Sequence, residues 1–300
     1  MSVVPEIGGA GVDEVPAAAR DASLWRLFRA RRSGMAGLAV LGVFGVLALA
    51  APLLFDSSML DVTQTTADEL APPGPGHWLG TDENGRSVLA LVVWGARVSL
   101  LVGFAATAIS MVIGTSVGVA SGYFRGVVGG VLERLTDWFL VIPFLPLAIV
   151  LATVLEASLL NVIVVIGVTS WPGTARLVRA QTLSVVSRPY VERSHALGAG
   201  DRHVMTRHVL PNVMPLVLAN TTLTVAIAIL AETTLSFLGL GDPFAVSWGR
   251  LLDDAFTAGA ISSGAWWYLL PPGICVVVVV LAFTLVGRSL EAVLNPRLRD

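Results

Sequence analysis

The chain has 300 residues, is 55% hydrophobic and only 13% charged, and has a mean hydropathy of +0.78, where soluble domains carry about 25% charge, so lipid is the expected solvent. A formal net charge of -2 with scattered basic residues excludes a phosphate-tracking nucleic-acid groove, and the single cysteine, Cys275, excludes an intrachain disulfide or multi-cysteine metal site. All 19 basic residues are arginine, so there is no Gly-x-x-x-x-Gly-Lys loop to cradle nucleotide phosphates, and an ordinary P-loop ATPase is excluded as well.

Taken in order, residues 1–34 form an N-terminal tail, rich in Gly, Ala, Pro and acids before the basic cluster Arg26, Arg29, Arg31 and Arg32. A first membrane helix follows at 35–55. Ala48-Leu49-Ala50 has the look of a signal-peptidase site, but the long preceding region and the continuation of the apolar run to Phe55 fit a cleaved signal poorly. Residues 56–97 form an extracytoplasmic loop broken by Pro72-Pro73-Gly74-Pro75-Gly76, and residues 98–300 form the core. Its apolar runs predict helices over about 98–123, 132–155, 159–178, 212–232 and 266–287, because crossing the hydrocarbon layer takes ~20 residues. None alternates as barrel strands do, so the fold class is an all-α integral membrane protein with six transmembrane helices. Pro143, Pro146 and Pro172 free helix carbonyls and are read either as bends beside a transport path or as ordinary packing kinks. A second long outer segment, 239–265, ends near Trp248, Trp266, Trp267 and Tyr268, aromatic residues suited to a membrane interface.

Arginine counts orient the bundle. With both termini cytoplasmic, sixteen of the 19 lie inside and only Arg86, Arg97 and Arg250 lie outside, as the positive-inside bias requires.

The inner segment from about 179 to 211 is too polar to span but carries helix signals. Ser187 suits a cap, Pro189 a first turn, and Glu192 the positive end of a helix dipole. Ser194, Ala196, Gly198, Ala199 and Gly200 are small enough for another protein to approach the backbone, with Leu197 an apolar knob beside them. Pro211 is expected to help set the start of the fifth span. An amphipathic interfacial helix is the bland alternative.

Glu192, Gly198 and Leu210-Pro211 resemble the cytoplasmic signature of ABC-importer permeases, with Arg193-Ser194 in place of that motif's two alanines. The runs His77-Trp78-Leu79-Gly80-Thr81-Asp82 with Gly85-Arg86, Gly95-Ala96-Arg97, Ala175-Arg176-Leu177-Val178-Arg179, His208-Val209-Leu210-Pro211-Asn212, Leu235-Ser236-Phe237-Leu238-Gly239-Leu240-Gly241, Ser247-Trp248-Gly249 and Asn295-Pro296-Arg297-Leu298 resemble permeases of the dipeptide and oligopeptide importers, C-type subunit. The resemblance covers about residues 24–300 and implies a type I importer bundle in the bacterial inner membrane. It further implies a transport subunit rather than an enzyme, with di- or oligopeptide cargo. Related permeases carry nickel, glutathione and other small solutes.

On that resemblance Glu192, Ala196, Leu197, Gly198, Ala199, His208, Leu210 and Pro211 would make the ATPase-coupling loop. Implied partners are a homologous second permease, two ATPase subunits or domains, and an extracytoplasmic solute-binding protein. ATP and Mg would belong to the ATPase partners, with no cofactor in this chain. Asp82, Arg86 and Trp248 are expected to meet the external partner, although Asp-x-x-Gly is also an ordinary turn composition.

Glu232 reads either as an acid on the transport path or outer gate, or as an interfacial acid hydrogen-bonded to a neighbouring loop. Glu133 and Asp137 near Arg134 read as an ion-pair cluster at the foot of the third span. His195, His203 and His208 lack the i, i+4 spacing of a helical zinc pair. An ion-driven secondary transporter is the competing class, but no inverted repeat is evident. No nucleophile-base constellation supports a membrane enzyme.

Overall fold

The computed structural model describes residues 24–65 and 67–294; the first 23 residues and the motif Asn295-Pro296-Arg297-Leu298 lie outside them. Among the described residues five helices are long and apolar enough to cross a membrane, or six when a bent pair is taken as one span.

A short α1, Leu24–Arg29, leads into α2, Arg32–Leu54. Val43, Val46, Leu49 and Leu53 of α2 are exposed, which suits a helix whose outer face meets lipid. Its Gly37 lets it lie directly on the last helix, where a β-carbon would stand 2.7 Å from the Ala282 carbonyl oxygen.

The long α3, Val88–Tyr123, begins well before the expected start at 98. Hydropathy stops at Arg97, whereas the helix does not, because the guanidinium lies 5.3 Å over the Trp94 ring one turn back.

Helix α6, Leu159–Val186, runs through Pro172 as one element and packs tightly on α3. The seam is a small-residue stripe of four-residue period: β-carbons at Gly114, Gly118 and Gly122 would stand 2.8, 2.6 and 2.8 Å from Thr174, the Ala175 carbonyl oxygen and Thr182. Such stripes let membrane helices meet backbone to backbone, where lipid leaves packing rather than water exclusion to hold them.

Between α3 and α6 the expected single helix at 132–155 is two. Helix α4, Val127–Val141, and α5, Phe144–Val154, meet at 88°. Pro143 offers no N–H to continue the ladder and holds Ile142 extended, at φ -77 and ψ 124. Pro146 falls in the first turn of α5, where a missing N–H costs nothing, so it causes no bend.

Helices α7, Pro189–Ala196, and α8, Asp201–Val204, precede α9, Leu210–Phe237. A π turn at Met205–Val209 joins α8 to α9, so the fifth span is a continuous helical run from Asp201. Pro211 stands in the first turn of α9, as expected, but the span itself reaches further back. Pro211 lacks the N–H that would reach the carbonyl four residues back, and the preceding turn widens, with the Leu210 N–H donating to Met205 instead.

Helix α10, Trp248–Thr257, lies across the end of the bundle and α11, Trp266–Leu294, completes it. Leu91, Ile229, Leu251, Tyr268 and Phe283 centre the largest core cluster around Trp248. The end carrying α7 and α8 is the Arg-rich end; the opposite, acidic end is capped by residues 55–65, 67–87 and 238–265.

Candidate functional site

At the Arg-rich end α7 starts at Pro189 with Arg188 before it, and Ser187 does not cap it. The Ser187 hydroxyl closes the preceding helix instead, donating to the Ser184 carbonyl at 3.1 Å. Only Val191 of α7 is buried, in a cluster with Val178, Val185, Val204 and Val209. The opposite face, with Glu192, Ala196 and Leu197, is open, and Leu197 is 88% exposed.

Gly198 ends the helix with φ +86, its N–H on the His195 carbonyl at 2.9 Å and the Ala199 N–H on Ser194 at 3.1 Å. That pattern is a Schellman turn, which requires a left-handed residue. Nothing stands within 4 Å of a β-carbon there, so Gly198 answers backbone conformation rather than crowding within the chain.

The loop is tied down in part by a side chain that sequence reasoning did not single out, Tyr123. Tyr123, last residue of α3, donates its hydroxyl to Asp201 at 2.8 Å and lies 3.4 Å from His195 Nε2, so one phenol touches both halves of the reversal. His208 sits behind α7, 3.4 Å from the Ser194 hydroxyl, with its ring 5.9 Å from that of Tyr190 and tilted by 53°. A cleft of about 490 Å³ opens beside them, lined by Tyr123, Arg125, Glu192, His195 and Asp201. Arg179 pairs with Glu133 at 2.7 Å and Arg176 with Asp137 at 2.8 Å, joining α6 to the foot of α4.

The acidic end is built differently. Asp82 is fully buried and accepts from the N–H groups of Asn84 (3.0 Å) and Arg86 (2.7 Å) and from Arg86 Nε (2.6 Å). Thr81, also buried, exchanges hydrogen bonds with Ala71 and Asp68, and Trp267 Nε1 donates to its carbonyl. Trp248 is buried, donating to the Val92 carbonyl at 2.9 Å. Asp82, Arg86 and Trp248 therefore shape the outer surface from within and do not present themselves to a partner. The most exposed large apolar side chains there are Trp78 (79%) and Phe244 (96%), whose neighbouring Gly-Pro and Asp-Pro turns were the available sequence signal.

On α10, Arg250 pairs with Asp254 at 2.9 Å and lies 3.9 Å from Asp253. Burial pushes the Asp254 carboxyl up to about 6, against the pull of Arg250, with Glu83 adding to the rise.

Glu232 is 1% exposed. It accepts from Ser236 at 2.8 Å and from Ser99 at 3.1 Å, and Ser99 accepts in turn from the Trp248 N–H at 3.2 Å. The acid thus braces α3, α9 and the start of α10. The void beside it, about 10 Å³, has room for about one water and none for a cargo molecule. Pro143 does line a larger cleft, about 350 Å³, between the broken span and helices α6 and α9; Pro146 does not.

The family model described as the inner membrane component of binding-protein-dependent transport systems matches residues 111–300, and the N-terminal membrane domain of oligopeptide transport permease C matches residues 20–73. The chain is 37% identical over 286 residues to the dipeptide transport system permease protein DppC of Bacillus subtilis, covering 95% of this chain and 88% of that one. It is 33% identical to the oligopeptide permease protein OppC of the same organism, covering 98% and 96%. Against OppC of Lactococcus lactis subsp. cremoris identity is 36%, covering 76% and 78%. A chain from an inward-facing crystal structure of the MetNI methionine ABC transporter superposes with a TM-score of 0.53 at 22% identity, covering 68% of this chain and 96% of that one. That match supports a shared fold.

Proposed function

Since the chain belongs to the inner-membrane permease components of binding-protein-dependent transport systems, we propose that it carries short peptides across the inner membrane, driven through α7 by ATPase subunits on the cytoplasmic side. It is a multi-pass membrane protein and a permease subunit of an ABC importer, a family in which ATP is hydrolysed on separate subunits. Members of the family work with further permease, ATPase and binding-protein subunits.

Beyond that, the Arg-rich end faces the cytoplasm, in keeping with the sixteen-to-three distribution of arginine. A second, homologous permease completes the pore, and ATP and Mg bind the ATPase subunits. Di- and oligopeptides are the cargo named for the similar proteins of Bacillus subtilis.

The observation that carries the coupling role is Leu197, standing almost free of its own chain at the tip of a helix whose other side is anchored on Val191 and Tyr123. A large apolar side chain presented on so small a mount fits a groove in a partner. Such coupling works only if the partner holds α7 differently before and after ATP-driven closure.

The test is ATP-dependent uptake of labelled di- and oligopeptides by the complete complex in proteoliposomes, with wild type beside Leu197→Glu. Since Leu197 contributes little to this chain's packing, the variant should fold and insert normally yet lose ATPase association or peptide uptake at least tenfold. Unchanged assembly, ATP turnover and uptake would remove α7 from the coupling role.

A further inference from the structure

We infer that the cleft at the broken span is this chain's contribution to the peptide path, and that Asn220 and Thr174 bind the cargo's main chain there through neutral hydrogen bonds. The inference rests on the peptide-importer reading above and names where cargo and chain touch.

The first observation is the break itself. Helix α4 ends at Val141, Ile142 and Pro143 are extended, and the chain turns by 88°. The last carbonyls of α4 thus have no following helix turn to accept from, and Pro143 has no N–H to offer. Irregular backbone at membrane depth persists only where protein or water covers it, because hydrocarbon leaves each such group unpaired at high cost. The face bearing the break is therefore turned away from lipid.

The second observation is the polar set opposite the break. Asn220 lies near the midpoint of the helical run Asp201–Phe237, and so close to the middle of a ~30 Å hydrocarbon layer. Its Nδ2 donates to Thr174 Oγ1 at 3.0 Å and reaches Thr224 Oγ1 at 3.5 Å. Thr224 passes its own proton back to the Asn220 main-chain carbonyl at 3.0 Å.

Two functions are left over. Among the described residues no hydrogen bond is made to Asn220 Oδ1, an acceptor, and the Thr174 hydroxyl accepts from Asn220 but donates to no acceptor. One open acceptor beside one open donor complements a peptide unit, whose N–H and C=O need those two partners. Thr174 is itself held in place by the seam, against Gly114.

The third observation is the absence of charge. The cleft is lined by apolar residues together with Thr169, Ser170, Thr174, Asn220 and Thr224, with no ionisable side chain among them. At about 350 Å³ it falls within the range of small-molecule sites. A surface that offers hydrogen bonds without charge reads a backbone and ignores whether the side chains are acidic or basic. Selection among peptides then lies elsewhere in the complex.

The test uses the complete complex in proteoliposomes. Asn220→Leu is expected to lower ATP-dependent uptake of alanyl-alanine, alanyl-lysine and alanyl-aspartate alike, by roughly fivefold for the one cargo hydrogen bond it removes, while assembly persists. Asn220→Asp, which loses the Nδ2 donor and places a carboxylate in the cleft, should lower uptake of all three and that of the acidic dipeptide most. In a Cys275→Ala background, Asn220→Cys should react with a charged, membrane-impermeant thiol reagent while the lipid-facing control Ile274→Cys does not.

If Asn220→Leu and the near-isosteric Thr224→Val both lose the second permease, the cleft is a subunit interface and the inference is wrong. It is equally wrong if Asn220→Leu transports normally or if Asn220→Cys is unreactive in the assembled complex. A wild-type complex that hydrolyses ATP but takes up no peptide overturns the peptide reading itself, a result distinct from a defect confined to the Asn220 variants.

Discussion

The two ends of the bundle hold their loops by opposite means. At the acidic end polar groups are taken inside and satisfied: Asp82 alone gathers two backbone N–H groups and the Arg86 guanidinium with no exposure to water. At the Arg-rich end the reversal between α7 and α8 hangs on Val191, Val204 and the Tyr123 hydroxyl, and the ion pairs at its foot are open to solvent. Exposed pairs of that kind contribute ~0–1 kcal/mol. One end is built to keep its shape and the other to yield locally. A machine that meets a partner on each side benefits from that asymmetry, since the yielding end is the one to which we assign the ATPase contact.

The comparison breaks most readily at Asp82. Removing one member of a buried, hydrogen-bonded pair costs ~3–5 kcal/mol, because the other charge is left without a partner. Asp82→Ala should therefore lower the unfolding temperature of the whole detergent-solubilised subunit and not merely loosen one loop. A loss confined to residues 56–87 in hydrogen exchange would show the cap to be less integral than its burial implies.

Tyr123→Phe probes the other end. Losing the hydroxyl's bond to Asp201 should cost ~1 kcal/mol, with faster proteolysis between α7 and α8 and little change in global unfolding. In the assembled complex ATP turnover should persist while the peptide carried per ATP falls. A global loss of stability as large as that of Asp82→Ala would erase the distinction between the ends.

The smallest effect concerns pH at Asp254. Its carboxyl has an ordinary value of 3.8 and is pushed up to about 6, burial being the main cause, with Arg250 and Arg86 opposing and Glu83 and Asp253 reinforcing. Below about 4 folded and unfolded chains both hold the proton; between 4 and 6 only the folded chain does. Ionisation therefore works against the fold as pH rises, and the stabilisation present at low pH is gone above about 6. The protection of α10 against hydrogen exchange, after allowance for the intrinsic pH dependence of exchange, should fall from pH 4 to 7 in wild type, and Asp254→Asn should flatten that trend.

What could be read from the sequence followed hydropathy. The spans beginning at Leu159 and Trp266 start where their apolar runs start, and the short helix at Pro189 was visible in its proline and its acid, though Ser187 was misread as its cap. The misreadings have local causes. Arg97 hid the first ten residues of α3, because a scale that charges for arginine does not see Trp94 beneath it. The break at Ile142–Pro143 hid inside a run whose composition never changes, and only the effect of proline on its predecessor marked it.

Asp82 and Arg86 read as surface because isolated charges in loops usually are; their spacing of four was the one hint of an internal pair. The Thr174–Asn220 contact had no local signature, since 46 residues separate its members. Tyr123 was equally silent, its partners His195 and Asp201 lying more than 70 residues along the chain.

The glycine seam between α3 and α6 also limits how the protein can move. A ridge that meets a backbone every fourth residue cannot slide by one position without driving a β-carbon into a carbonyl, as the 2.6 Å approach at Gly118 shows. The two helices are thus a single beam, and α3 alone, at 36 residues, is ~54 Å long. Pivoted near its centre, such a beam tilting by ~10° carries each tip through ~5 Å in opposite directions. One tip holds Tyr123 and the other reaches past Ser99 toward Trp248, so a displacement imposed at either loop arrives at the far membrane surface with its sign reversed.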